Sequence, residues 1–424
     1  MKAAGTIEVH HLTRVEGHGN IRIRVKDGRL REARWEVVET PRYFEALLRG
    51  KRYDVAPWIT GRICGICSIG HTLAGIRAVE NAFGFDPPAQ TRSLRLLLKH
   101  AETLQSHVLH LYFLAAPDFL GTGSVFPLIE SHPDAVRRAA RLKQLANDLC
   151  DLVGGRRMHP TRTVVGGFTL LPKKRELAVF RERLIAALPD LSATSELFHS
   201  FPVPDFSRET EFVSLRGDGE YPFIGGDLFS SDGVVLPETG YLRMTNEHPV
   251  PHSTAKWCRL SREAFAVGPL ARVNNNFRFL LPEARSLAES FGLSPVRHNP
   301  FLAHAARLAE CLHVTLESVS LIDRLLSEDF GDPRHPVAPR EGKGVAAVEV
   351  PRGILYHAYE FDREGRILSA DCVIPTGQNH GNIQRDLEEL VRRSVSEGRT
   401  DAEIERLAQM LVRSYDPCIS CSVH

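Results

Sequence analysis

Two Cys-x-x-Cys pairs stand at opposite ends of this 424-residue sequence. The first lies in Arg62-Ile63-Cys64-Gly65-Ile66-Cys67-Ser68-Ile69-Gly70-His71, the second in Asp416-Pro417-Cys418-Ile419-Ser420-Cys421-Ser422-Val423-His424. Each pair puts two thiolates close enough to grip one metal. Soft sulfur suits zinc, iron–sulfur clusters, nickel or copper(I) better than hard cations. The plain reading is a four-cysteine zinc site, and three features weigh against it. Zinc ribbons close short loops, whereas roughly 350 residues intervene here. The second pair sits on the last turn of chain, a poor place for a structural staple. Both pairs also carry His and Asp neighbours, as a tuned reactive site does. A thioredoxin-like dithiol is the other plain reading, but no βαβ pattern surrounds either pair.

The remaining cysteines, Cys150, Cys258, Cys311 and Cys372, are isolated and read as small buried hydrophobes. Eight cysteines in a chain with no signal-peptide core at Met1-Lys2-Ala3-Ala4-Gly5 favour metal or redox chemistry over disulfides, and a cytoplasmic location. A partner's export signal would override that last expectation. A net charge of +1 gives no electrostatic case for nucleic acid. No apolar run is long enough to span a bilayer.

Thr6 to His10, Ile21 to Val25 and Leu30 to Val38 alternate in the two-residue period of strands, with a turn at Arg14 to Gly19. Helical spacing runs from Leu73 to a stop at Gly84, from Thr91 to Ala116, from Asp134 to Val153, from Arg175 to Leu188 and from His304 to Leu326. Shorter helices are expected from Ile383 and Ala402. Phe206 to Asn246 and Ala346 to Ile374 read as short strands and loops. No linker or repeat marks a boundary, so residues 1–424 are expected to form one α+β domain, a central helical bundle with small peripheral β-sheets.

With both cysteine motifs in view, the sequence resembles the large, catalytic subunit of the nickel–iron hydrogenases, from the first strand to the last residue. The resemblance implies that Cys64, Cys67, Cys418 and Cys421 hold nickel. Cys64 and Cys418 would be terminal ligands, and Cys67 and Cys421 would bridge to an iron carrying carbon monoxide and cyanide, a Ni–Fe(CO)(CN)2 centre. Glu16, in Thr13-Arg14-Val15-Glu16-Gly17-His18, matches the family's glutamate that takes a proton from a nickel-bound thiolate; heterolytic splitting of dihydrogen leaves a proton needing such a base. His71, one helical turn past Cys67, is expected to hydrogen-bond that sulfur.

Pro351-Arg352-Gly353 with His357 resembles the motif whose guanidinium hangs over the open metal position. Asp118 and Asp416 match the two aspartates that pair with it, since a buried arginine needs carboxylates. Ile374-Pro375-Thr376 resembles the segment that holds the cyanides, with Thr376 as the hydroxyl. It continues Gly377-Gln378-Asn379-His380 rather than in the tryptophan version of membrane-bound members, which favours the cytosolic multimeric branch. His424, Glu45 and the carbonyl of Cys372 match ligands of a second, structural metal, Mg2+ or Fe2+. In many members an extension is removed after this histidine; ending at His424, the chain is either matured or encoded without one. Gly154-Gly155-Arg156, His159-Pro160 and Ser106-His107 are assigned to packing.

The resemblance thus implies reversible oxidation of dihydrogen to protons and electrons. No further cysteine cluster is present for a relay, so a small subunit with iron–sulfur clusters is implied. Further electron-transfer subunits passing electrons to NAD(P), a deazaflavin or another soluble carrier, and maturation proteins, are implied too. No strand-borne GxGxxG is present, so a nicotinamide site belongs to a partner. Two other readings compete: a non-catalytic scaffold like the related complex I subunit, whose members lack the cysteine pairs, and a zinc-stapled structural protein, which metal identity separates.

Overall fold

The computed structural model describes residues 5–424, so Met1 to Ala4, read above for a signal sequence, lie outside the described residues. Numbering the principal elements in chain order, β1 (Thr6–Val9), β2 (Gly19–Lys26) and β3 (Arg29–Val37) form an antiparallel meander. Ile21, Ile23 and Val25 of β2 point inward and Arg22 and Arg24 outward, as a two-residue period demands. Next come α1 (Ser68–Phe83), α2 (Ala89–Leu109), α3 (Pro133–Gly154), β4 (Glu211–Leu215), α4 (Pro269–Asn276) and α5 (Ala303–Ser327). The hairpin β5 (Gly342–Val350) and β6 (Gly353–Phe361) leads through β7 (Ile367–Val373) to α6 (Pro375–Ser396) and α7 (Asp401–Ser414).

Helix α2 is the central column. Its Leu94, Leu97, Leu98, Leu104 and Val108 are buried against α3 and α5, which is why the aliphatic spacing along it is so regular. The sheet of β1 to β3 is extended by Ser253–Trp257 and His248–Val250, and it packs on α6 and α7. The β5–β6–β7 sheet lies between α1 and a second small sheet built on β4. Covered on both faces, β5 is buried without interruption from Gly344 to Val350, and its sequence is correspondingly small and apolar. No helix of the described residues is long and apolar enough to cross a membrane.

The α+β architecture with helices at the centre is the expected one, but several boundaries differ. Helix α1 starts at Ser68 rather than Leu73, and α6 at Pro375 rather than Ile383. Both opening turns are rich in Gly, Ser, Thr, His or Asn that are buried beside other polar groups, so the aliphatic period begins a turn or two late. The stretch expected as one helix to Ala116 is α2, then a π-helical turn at His110–Ala115 and a short helix at Ala116–Phe119. Ala346 to Ile374 is a long regular hairpin and third strand rather than short strands and loops. Helices at Leu188–His199 and Pro282–Ser290, and α4, carried no clear period.

Buried neutral histidines brace this assembly. His380 of α6 accepts from Trp35 Nε1 at 3.0 Å and meets Ser422 Oγ at 3.0 Å through its other nitrogen. Burial pulls its pKa down to about 3. His357, in β6, is likewise pulled down to about 3 by burial. The unfolded chain protonates these rings near pH 6.5, the folded chain only near pH 3. Their contribution is therefore complete above pH 6.5 and is lost as pH falls toward 3, by up to about 2 kcal/mol per histidine at pH 5. We expect the urea midpoint to fall from pH 7 to pH 5, and His380→Asn to make that fall shallower; an equally steep fall in the variant would remove His380 from the account.

Candidate metal centre

The two cysteine pairs meet in the interior. The turn before α1 delivers Cys64 and Cys67, and the chain leaving α7 delivers Cys418 and Cys421. One ligand atom from each of the four lies within 4.8 Å of every other. All four are buried, at 4% exposure or less, in an apolar setting that includes Ile63, Val348, Val350, Leu355 and Ile374. Cys64 and Cys418 sulfurs are 3.6 Å apart, and Cys418 and Cys421 sulfurs are paired directly. Metal binding uses these sulfurs as thiolates, so it requires the reduced pair.

Backbone pairing brings the ends together. Glu16 and Cys418 form an isolated parallel bridge, with the Ile419 amide donating to the Glu16 carbonyl at 2.9 Å. Arg42, not singled out in the sequence, donates through Nη2 to the carbonyls of Ile63 (2.7 Å) and Ser420 (2.5 Å), the residues just before Cys64 and Cys421. Its amide also donates to the Val423 carbonyl at 2.8 Å. A single side chain thus ties both cysteine turns. Only distance in sequence hid it, since nothing local distinguishes Arg42 from its exposed neighbours.

Electrostatics divide the cysteines. Burial works to raise the Cys64 thiol, but the hydrogen bond with Cys67 and the Arg352 charge prevail and set it below its ordinary value. Cys67 is pushed well up by burial and by Cys64 beside it. Arg352 is buried too; the charges of Asp416, Cys64 and Cys67 outweigh that burial and raise its pKa, so it is a fixed cation.

The residues expected around the cysteines fall into two groups. Glu16 Oε2 lies 3.1 Å from Cys418 Sγ and accepts from the Ser420 amide at 3.1 Å, and its Oε1 accepts from the Ser420 hydroxyl. Thr376 Oγ1 accepts from the Cys418 amide at 2.9 Å, leaving its own proton to donate. Arg352 Nε donates to the Asp416 carbonyl (2.6 Å) and Nη2 to Oδ1 (2.9 Å). Glu45 Oε1 lies 3.2 Å from His424 Nε2.

Two expectations need correcting. Asp118 does not pair with Arg352: it accepts from Arg14 Nη2 at 2.5 Å and Arg413 Nη1 at 2.8 Å, two guanidiniums that satisfy it. His71 makes no hydrogen bond to Cys67 sulfur; its Nδ1 faces His357 Nε2 at 3.1 Å, and His357 Nδ1 meets the Tyr359 hydroxyl at 2.6 Å. Burial first, and His357 next, push the His71 pKa well down, so it is neutral. The Cys372 amide donates to Glu45 Oε1 at 2.9 Å, which sets that strand beside the Glu45–His424 pair. His107, assigned to packing, bonds Glu310 at 2.7 Å in the interior, and His159 Nδ1 donates to the Gly61 carbonyl at 2.8 Å, behind the first cysteine turn.

Does this pocket suit a metal group larger than one ion? Three buried polar atoms of the residues expected at the site find no protein partner: Arg352 Nη1, Asp416 Oδ2 and His71 Nε2. Buried donors and acceptors are normally satisfied. Four soft sulfurs with an unpartnered guanidinium N–H of Arg352 close by fit a metal that brings its own polar ligands, better than a bare zinc ion with a closed shell. Among the described residues no other group of three or more His, Cys, Asp or Glu side chains gathers closely enough to hold a metal.

The buried four-sulfur centre marks a metal-binding protein, and comparison with known proteins gives its family. The nickel-dependent hydrogenase family matches residues 42–128 and 238–424, and a HoxL-like family matches residues 6–40. The chain is 34% identical to sulfhydrogenase 1 subunit alpha of Pyrococcus furiosus, over 99% of this chain and 97% of that protein. It is 28% identical to the NAD-reducing hydrogenase HoxS subunit beta of Cupriavidus necator, over 97% and 93% of the two chains. An NAD+-reducing [NiFe]-hydrogenase solved in the H2-reduced state superposes with a TM-score of 0.90 at 28% identity, covering all of both chains. The chain belongs to the nickel-dependent hydrogenase family.

Removing Arg42 tests the closure. Arg42→Ala should leave the helical core intact, since Arg42 bonds only the site's backbone, yet lower the nickel retained per chain severalfold. Unchanged nickel content by elemental analysis would show that the backbone bridge alone suffices.

Proposed function

We propose that this chain is the dihydrogen-activating subunit of a nickel–iron hydrogenase, catalysing the reversible conversion of dihydrogen to two protons and two electrons. The observation that carries it is the buried four-cysteine cluster with Glu16 on one sulfur and the Arg352 guanidinium held nearby. Family membership supports nickel; the unspent Arg352 Nη1 and the free Thr376 hydroxyl proton support an iron with carbon monoxide and cyanide ligands. When bound, such a centre supplies the electron-accepting seat for heterolytic cleavage.

The chain's own residues manage the proton and the charge. Glu16 reaches Cys418 sulfur at 3.1 Å, within range for direct proton transfer, and it is only partly buried, so it can hand the proton outward. Ser420 fixes both its oxygens by amide and hydroxyl. Arg352 keeps its charge and, anchored to Asp416 by two contacts, has Nη1 left over to face a reactant. Thr376 and His71 offer the remaining polar contacts. Asp118 acts at one remove, steadying Arg14 and Arg413 beside the Glu16 loop.

Glu45 and His424 are read as ligands of a hard cation such as Mg2+. Cys372 is opposite His357 in the β6–β7 ladder and spends its amide on Glu45. In a strand a residue's N–H and C=O point to the same side, which supports the Cys372 carbonyl as a third ligand. Because Cys150, Cys258 and Cys311 are separately buried, electrons must leave through a partner bearing iron–sulfur clusters and pass to a soluble acceptor such as NAD(P).

The deciding measurement is an infrared spectrum of the protein from its native host: sharp bands of iron-bound carbon monoxide and cyanide are expected, and their absence together with zinc would overturn the reading. Glu16→Gln should retain these bands and lose hydrogen–deuterium exchange by about 10²–10⁴-fold; full exchange would dismiss Glu16. Arg352→Lys should retain the metals and lose turnover by about 10²–10³-fold, whereas an unaffected rate would dismiss the guanidinium.

A further inference from the structure

Arg352 sits at the tip of the β5–β6 hairpin, where Val350 pairs with Gly353 and Pro351-Arg352 form a two-residue turn. A tip of this kind is normally free to rock. Here its backbone is seized by Arg272 of α4, a side chain the sequence reading passed over. Arg272 Nη1 donates to the Val350 carbonyl at 2.9 Å and Nη2 to the Pro351 carbonyl at 3.2 Å. The other three N–H groups go to carboxylates: Nε and Nη2 to Glu310 at 2.6 and 2.7 Å, and Nη1 to Glu349 at 3.0 Å. All five guanidinium hydrogens are therefore spent, and two of them on the peptide groups that lead into Arg352.

Arg272 is itself immobile. It has no exposure, and neither has Glu310. Glu310 is gripped in turn by the Tyr221 hydroxyl (2.6 Å) and His107 Nε2 (2.7 Å), and Glu349 by the Leu215 amide (2.8 Å). Burial disfavours the Arg272 charge, and Glu310 and Glu349 more than offset it. The far side of the tip meets a backbone wall. A Cβ on Gly268 would stand 3.0 Å from the Arg352 carbonyl, and one on Gly353 would stand 3.0 Å from the Gly268 amide. Both glycines have positive φ, 111° and 137°, and the two segments pack closely, with the Val267 side chain also pressed against Gly353. Clamped on one side and walled on the other, the turn has one position.

We propose that Arg272 is a positioning residue for Arg352: through the Val350 and Pro351 carbonyls it fixes where the Arg352 guanidinium stands beside the four cysteines. This rests on the hydrogenase reading above. Lysine in its place would keep a charge but has no planar fork to bind two carboxylates and two carbonyls at once. A displacement of about 1 Å in a positioned group costs about 10²-fold in rate.

The test uses the assembled enzyme from the native host, with turnover normalised to nickel. Arg272→Lys should lower nickel-normalised turnover by about 10²-fold, shift the carbon monoxide and cyanide infrared bands, and speed amide exchange at residues 350–354. In an Arg352→Lys background the same change should add little, because a residue acting through Arg352 has nothing left to position. Glu310→Gln loosens the clamp without removing it and should reproduce the effects in milder form, giving a second reading should Arg272→Lys fold poorly. Parent-like nickel-normalised turnover with parent-like bands in either loaded variant, or losses that multiply in the double variant, would overturn the proposal. Absence of the bands from the parent enzyme would instead remove the hydrogenase reading beneath it.

Discussion

The parallel bridge between Glu16 and Cys418 is the contact on which the site depends. It is short, with one amide of Ile419 on the Glu16 carbonyl, yet it lays the last residues of the chain beside the first loop. Closing a loop of this length costs only a few kcal/mol in chain entropy, because the cost grows with the logarithm of length. The packed helices between the two ends meet that cost. What remains is register, and the bridge sets it: Glu16 carboxylate, Cys418 sulfur and the Ser420 amide are brought into one hydrogen-bonded group. Arg42 repeats the arrangement on the other side, joining the carbonyls before Cys64 and Cys421.

Elements whose side chains face apolar layers were legible in the sequence. The β1 to β3 alternation, the leucines of α2 and the amphipathic α3 and α5 state their period, because burial selects aliphatic residues at each inward position. Elements that line the site were not. The first turns of α1 and α6 bury Ser68, His71, Thr376, Asn379 and His380, polar groups that pay for burial with partners far along the chain. A period in hydrophobicity cannot register them. The same reasoning explains why Cys64, Cys67, Cys418 and Cys421 were readable and Arg272 or Arg42 were not. Thiols in CxxC spacing carry their chemistry locally, whereas a buried arginine is distinguished only by the carboxylates and carbonyls that folding brings to it.

Asp118 shows where matching a motif falls short of predicting a contact. It stands just beyond a π-helical turn, and its carboxylate is taken by Arg14 and Arg413. Arg352 relies on Asp416 instead, a residue two positions from Cys418. The guanidinium and Cys418 are thus anchored on the same short stretch of chain, and any shift of the second cysteine turn carries both together. The hairpin clamp at Val350 and Pro351 fixes the other end of that arginine.

The row His71, His357 and Tyr359 has a property that follows from its hydrogen-bond count. Tyr359 is within reach of both His357 and Thr60, so its single proton can go either way. Given to His357, it sets both imidazoles so that His71 Nε2 carries a hydrogen; given to Thr60, it reverses both, and the same nitrogen offers a lone pair. Since His71 and His357 are neutral, neither arrangement changes the net charge. The unpartnered His71 Nε2 therefore has a polarity that can invert by moving only hydrogens, while every heavy atom stays in place.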